Sequence, residues 1–285
     1  RNSRIQALQH QEDVKQREFG MYDGFRWSPD GKHIAYWQID QTGVSVVNLV
    51  NNTDSLYPKL NPIPYPKCGE TNPSARVGIV TLPLPLFGNT DLPPVTKWVE
   101  FDNNDSRNNY IADICFVESK AEGGSDAKQH LVIQRLNRLQ NHLDIASVDL
   151  SGDGCNMSTL YSEDSDAWID VNKPLRWLNM STPSGPGKNN HFLILSEKNG
   201  WRQLFIVPSF ASNEVRSVTS AAVAITPLGF DVESVCGCDE EAGLVYFIAS
   251  PEDPLRRFLY CASLSTLNPQ PVWRVTPMDD SFLGE

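Results

Sequence analysis

The chain has 285 residues, with 24 lysines and arginines against 35 aspartates and glutamates, a formal net charge of −11. That length supports a sizeable core. The acidic balance argues against nucleic acid as a partner, since phosphate binding demands basic surface, and no apolar run reaches the ~20 residues that span a bilayer.

The first residue is Arg1 and no signal-peptide pattern is visible, so the chain reads as an internal piece of a longer protein. Its compartment stays open; an extracytoplasmic or membrane-associated parent is compatible. The six cysteines, Cys68, Cys115, Cys155, Cys236, Cys238 and Cys261, include no paired Cys-x-x-Cys units, so neither zinc nor any other cofactor is implied. Alternation along a strand would place Cys236 and Cys238 on one side, as buried or idle thiols, with a metal or redox role as the alternative. Asn-x-Ser/Thr patterns start at Asn51, Asn104, Asn156 and Asn179, and such short motifs arise often by chance.

Residues 1–20 are polar, and Glu12 to Glu18 form either a short helix or a charged loop. Tyr22 to Asp40 then read as two strands about a tight turn. In Ser28-Pro29-Asp30-Gly31 the proline fixes φ, the aspartate caps its own backbone and the glycine accepts positive φ. Ile34-Ala35-Tyr36-Trp37 is rich in strand formers. Gly43 to Val50 is another strand. Residues 51–75 hold Pro58, Pro62, Pro64, Pro66 and Pro73, which forbid helix and central strand and predict an extended, polyproline-like surface loop. Strands follow at 76–82, 110–118, 130–135, 143–150, 192–196, 203–207, 232–236, 244–249, 258–263 and 272–275. Turn residues separate them at Glu122 to Ser125, Ser151 to Gly154, Lys198-Asn199-Gly200 and Asp239 to Glu241.

No long helical periodicity occurs, so the fold class is all-β, with which a sandwich, a barrel and a propeller are all compatible. Turn-centred strand pairs recur near 27–40, 110–135, 192–207 and 232–249. With the Trp27 to Tyr36 string, W-S-P-D-G-K-x-I-A-Y in pattern, they point to a β-propeller with four-stranded antiparallel blades. At about 40–50 residues per blade there is room for about four or five, a partial ring covering 21–285 with the Pro-rich insertion at 51–75. An open arc would leave exposed edges, so further blades are expected outside this piece. Trp27, Tyr36, Trp168 and Trp201 are expected in blade cores, where aromatics dominate, and Arg135 and Arg138 in ion pairs with acidic loops.

The runs Asp23 to Asp40, Thr42-Gly43-Val44, Asn52 to Lys59, Pro64-Tyr65-Pro66-Lys67 and Gly69 to Pro73 resemble the N-terminal propeller region of the dipeptidyl-peptidase IV family, serine peptidases of the prolyl-oligopeptidase clan, in a member of bacterial type. Arg135 to Asn141, Ala167-Trp168-Ile169-Asp170, Ser196 to Arg202, Val245-Tyr246-Phe247 and Ala249-Ser250-Pro251 continue the likeness in order. The Pro-Tyr-Pro-Lys-x-Gly-x-x-Asn-Pro run is the most specific. The resemblance implies a propeller capping an α/β-hydrolase domain of the same parent chain, a peptide substrate, and the homodimers that family members form partly through propeller extensions. Tyr57, Tyr65 and their loop would meet the hydrolase domain or a second subunit. The hydrolase would carry serine, aspartate and histidine, the serine within G-x-S-x-G. This chain has no such motif, and His10, His33, His130, His142 and His191 have no nucleophile elbow beside them. The fragment is therefore expected to be inactive alone.

The propeller of the family contributes adjacent glutamates, just before the W-S-P motif, that bind the substrate's free amino end. An ammonium in a water-poor cavity needs opposed carboxylates, and charge-assisted hydrogen bonds fix it there. Alignment through Phe19-Gly20 and Asp23 to Trp27 puts Gln16-Arg17-Glu18 at those positions. Only Glu18 matches. Arg17 would set a cation beside the ammonium or neutralise Glu18. Glu12-Asp13 is the alternative acidic pair and fits only with an insertion after it. The runner-up reading is a non-catalytic propeller that binds peptide or protein, from a parent without an active hydrolase.

Overall fold

The structure, a computed structural model, describes residues 23–82, 95–101, 106–119, 128–150, 155, 157–182, 185–186, 191–209, 222–265 and 271–277. Among the described residues there is no helix. The strands are β1 (Phe25–Trp27), β2 (His33–Asp40), β3 (Val46–Asn51), β4 (Lys59–Pro64), β5 (Ser74–Thr81), β6 (Thr96–Trp98), β7 (Asn109–Ser119), β8 (Lys128–Asn137), β9 (His142–Asp149) and β10 (Met157–Asp164). They continue with β11 (Arg176–Leu178), β12 (Ser181–Thr182), β13 (Gly185–Pro186), β14 (His191–Ser196), β15 (Gln203–Pro208), β16 (Val223–Ala224), β17 (Val232–Asp239), β18 (Leu244–Ala249), β19 (Phe258–Ser263) and β20 (Trp273–Arg274).

Among the described residues there are four four-stranded sheets, ordered β1-β2-β5-β6, β10-β9-β8-β7, β11-β14-β15-β16 and β17-β18-β19-β20, with two-stranded pairs β3-β4 and β12-β13. These sheets are the blades of a propeller-type fold, and the blade count agrees with the spacing of turns in the sequence. The opening turn forms as its residues dictate. Gly31 N donates to Ser28 O at 3.0 Å, Ser28 Oγ to Asp30 Oδ1 at 2.6 Å, and Gly31 takes φ +69°.

The chain divides into two compact units, residues 1–117 with 128–159 and residues 118–127 with 160–285. In the first, a core packs Trp37, Val77 and Ile79 of one blade against Ile111, Ile114, Leu131 and Ile133 of the next. In the second, Leu193, Leu204 and Ile206 pack against Val245, Phe247 and Tyr260. Apolar side chains from both sheets fill each core, and this burial drives blade-on-blade packing.

The Pro-rich stretch departs from the expected polyproline-like loop. Residues 46–64 form the antiparallel hairpin β3-β4, with Val50 opposite Leu60 and Asn48 opposite Pro62. Tyr65 N donates to Ser45 O at 2.9 Å. Ladder bonds alternate along an antiparallel pair, so the nitrogens of residues 60, 62 and 64 face away from β3. Proline is tolerated at such open-edge positions, which is why Pro62 and Pro64 do not break the strand. The side chains alternate as well: Val46, Val50 and Leu60 share one face and are 56%, 57% and 62% exposed.

Three tryptophans expected in cores lie outside them. Trp27 is on the edge strand β1, and Trp168 and Trp201 lie on connections between strands. All three are exposed, Trp168 at 69%, whereas Tyr36 is half-buried beside Trp98. Arg135 does pair with an acid, Asp144, at 2.7 Å, and Arg138 donates to the carbonyl of Glu70. A register shift between Val235 and Gly237 falls at Cys236 and breaks the alternation that would put its thiol beside that of Cys238. Cys236 is exposed, while burial pushes the Cys238 thiol up.

Burial also pulls His33, His130 and His191 below the ordinary imidazole range; the Asp30 and Asp149 carboxylates partly offset this at the first two. The unfolded chain then binds protons more readily at these three groups, so the stability they contribute is fully present above about pH 6.5 and is lost as the pH falls below it. The urea midpoint is expected to drop between pH 7.5 and 5.5, and His130→Gln to flatten that drop. Equal midpoints at the two pH values would contradict the assignment.

Candidate functional site

A cleft of the second unit lies where two separated stretches of sequence meet. One is the connection from β10 into β11. The other is the turn between β14 and β15. The cleft has a volume of about 400 Å³ and is lined by Glu163 to Asp170, Leu195 to Lys198 and Arg202. The motif stretches Ala167 to Asp170 and Ser196 to Arg202, remote in sequence, thus form one site.

Each wall is held from behind. Ile169 and Leu175 anchor the connection in the interior, and the Asn172 side chain grips β14 twice, accepting from Leu195 N at 2.7 Å and donating to Leu195 O at 2.9 Å. Trp168, directly ahead of the first of these anchors, is left exposed. On the other wall Gly200 takes φ +85°, its N donates to Glu197 O at 2.8 Å, and Arg202 N donates to Asp231 Oδ1 at 2.8 Å. The tight turn needs that left-handed residue, which glycine adopts without strain.

The floor is a buried polar network. Glu163 accepts from Tyr161 Oη and from Ser196 Oγ, each at 2.7 Å. Burial, reinforced by the Glu163 carboxylate, pushes the Tyr161 phenol well above its ordinary range, so it remains a donor at all working pH values. Lys198 Nζ lies 4.1 Å from the Phe205 ring centre and 5.5 Å from that of Tyr161. Burial lowers its ammonium below the ordinary lysine range, and Glu163 opposes that shift. Five carboxylates, Glu163, Asp164, Asp166, Asp170 and Glu197, face two cations, Lys198 and Arg202. Such a cleft favours cationic groups over anions.

The second surface of note is the apolar face of the β3-β4 hairpin in the first unit, with Leu56 and Tyr57 at its tip, 92% and 78% exposed. Arg107 holds its base, donating to Thr42 O at 3.0 Å and Asn72 O at 2.7 Å.

Glu18, Glu12 and Asp13, the acids singled out for binding a peptide's amino end, lie outside the described residues. The site around Glu163 and Lys198 escaped sequence reasoning. Its signal was the acid density of Glu163 to Asp170 next to a tryptophan, which resembles an ordinary solvated loop. Among the described residues no group of three His, Cys, Asp or Glu side chains could hold a metal ion.

Comparison with known proteins places these features in context. The family described as dipeptidyl peptidase IV (DPP IV) N-terminal region matches residues 11–280. The "Probable dipeptidyl peptidase 4" of Aspergillus flavus is 25% identical over 273 residues, 90% of this chain and 30% of its own length. The "Inactive dipeptidyl peptidase 10" of Rattus norvegicus is 29% identical over 248 residues, 85% of this chain and 27% of its own. Among solved structures, Porphyromonas gingivalis dipeptidyl peptidase 4 superposes with a TM-score of 0.67 at 22% identity, over 93% of this chain and 32% of that one. The chain therefore spans under a third of the length of these relatives.

Proposed function

The chain belongs to the dipeptidyl peptidase IV N-terminal region family, and from that premise we propose that it is the non-catalytic propeller part of a dipeptidyl-peptidase IV-like serine exopeptidase. In this reading it gates access to a hydrolase domain of the same parent chain and binds the free amino end of the peptide. The family match across residues 11–280 carries the proposal. Glu18 is the proposed anchoring carboxylate, with Glu12 and Asp13 as the alternative pair. A peptide blocked at its amino end presents no ammonium and leaves the carboxylate unpaired, which is costly in a dry site. Cleavage of X-Pro chromogenic substrates by the intact parent is expected to fall at least about tenfold on N-acylation. Equal cleavage of blocked and free substrates would remove Glu18 from this role.

A second reading has its own support in the likeness to the "Inactive dipeptidyl peptidase 10" of rat: a parent without an active hydrolase, whose propeller binds peptide or protein. A G-x-S-x-G motif followed by aspartate and histidine downstream favours the first reading, and its absence the second.

The exposed face of Val46, Val50 and Leu60 supports a homodimer seated on the β3-β4 hairpin, since apolar patches of this kind mark interaction surfaces. Leu60→Asp is expected to convert the sedimenting species from dimer to monomer at micromolar concentration. An unchanged sedimentation coefficient would exclude the hairpin from the contact.

A further inference from the structure

We propose that the cleft between the 165–170 connection and the β14-β15 turn binds the cationic side chain of a peptide, an arginine or lysine, with Trp168 as its platform. The charge of the cleft is the first reason. Its carboxylates outnumber its cations, so an anionic ligand is repelled and a guanidinium or ammonium is drawn in. The second reason is Trp168 itself. Ile169, its neighbour, is 8% exposed, whereas Trp168 is 69% exposed. The chain is buried at Glu163, five residues before the indole, and again at Ile169 directly after it, while the indole itself is exposed and lines an acidic cleft. A cation over an indole face is the strongest pairing of its kind.

The third reason is that the cleft already holds one ammonium. Lys198 Nζ rests over the rings of Phe205 and Tyr161 and interacts with Glu163. That inner site shows how aromatic faces and a carboxylate combine around a positive charge. Trp168, with Asp166 and Asp170 on the same connection, brings the same residue types to the lining of the same cleft. Arginine suits that lining better than lysine, because its planar head stacks on an indole while its edge donates to carboxylates. A neutral sugar would use the indole and leave the charges idle.

This inference deepens the proposed function and rests on its premise that the chain meets peptides: it gives those peptides a basic residue. Four pentapeptides separate the two ideas. Each has arginine or its uncharged counterpart citrulline at the centre, and a free or acetylated amino end. Isothermal calorimetry on the 285-residue chain is expected to find the arginine peptides bound about fivefold or more tightly than the citrulline peptides, whatever the amino end. Added sodium chloride should narrow that gap. Trp168→Ala, and separately Asp166→Asn with Asp170→Asn, should each bring the preference below about twofold, with unchanged melting temperature. Equal affinity for arginine and citrulline, a preference that survives in both variants, or no binding by any of the four peptides would overturn the inference. A preference for the free amino end, or its absence, bears on the Glu18 reading alone.

Discussion

Replacing Phe247 by alanine is expected to cost about 3–5 kcal/mol and to lower the melting temperature by on the order of 10 °C. Phe247 is fully buried in the middle of β18, opposite Val235 on β17 and Tyr260 on β19, with its ring stacked on Tyr260 at 6.2 Å. Its core also includes Leu193, Leu204 and Ile206 from the neighbouring blade. Truncation removes the transfer energy of the ring and leaves a cavity that two sheets, each fixed by its own ladder, cannot collapse to fill. Phe247→Leu keeps most of the volume and should lose roughly half as much. Thermal unfolding followed by near-ultraviolet circular dichroism checks both. A loss below about 1 kcal/mol for the alanine variant would mean that the two sheets do not share a core.

Gly78→Ala is expected to destabilise by about 1–3 kcal/mol, and Gly78→Val by more. Alanine ordinarily improves on glycine in a strand interior, so the sign of this effect is diagnostic. Gly78, on β5, faces Tyr36 on one side and Trp98 on the other. Those rings meet edge to face at 5.7 Å across it. A Cβ built there would lie 2.8 Å from Tyr36 Cζ, 2.9 Å from Trp98 Cζ3 and 2.9 Å from Thr96 Cγ2. None of these neighbours retreats freely. Tyr36 Oη is 3.2 Å from Thr96 Oγ1, and the Arg76 guanidinium lies 3.6 Å from the Trp98 ring centre. A double-mutant cycle gives the sharper test. In a Tyr36→Leu background the vacated space should accept the new methyl, and most of the Gly78→Ala penalty should vanish. A variant that melts higher than the parent would show that the rings do not need the gap.

The blades were legible because their signals are local. A turn such as Ser28 to Gly31 encodes its own geometry, and an apolar run beside it fixes which strands pair. The family was legible from motif order. What the sequence concealed depends on neighbours remote in the chain. Trp27, Trp168 and Trp201 look like core residues by composition, yet burial at a blade edge or on a connection depends on what packs there. Here Ile169 and Leu175 take the interior positions and Trp168 is turned out. The prolines at 62 and 64 argue against a central strand, correctly, but their spacing of two also fits an edge strand with every second nitrogen outward. Only the register with β3 separates that hairpin from an extended loop. The cleft around Glu163 needed two stretches brought together, and neither announces the other.

The outward nitrogens of β4 have one more consequence. Along its open margin this strand can offer a hydrogen only from Leu60, since the other two positions are proline. Another molecule cannot zip onto that margin and extend the ladder. A partner approaching from the β4 side is therefore left with the flat apolar face, and an isologous contact there closes as a pair instead of propagating into fibres.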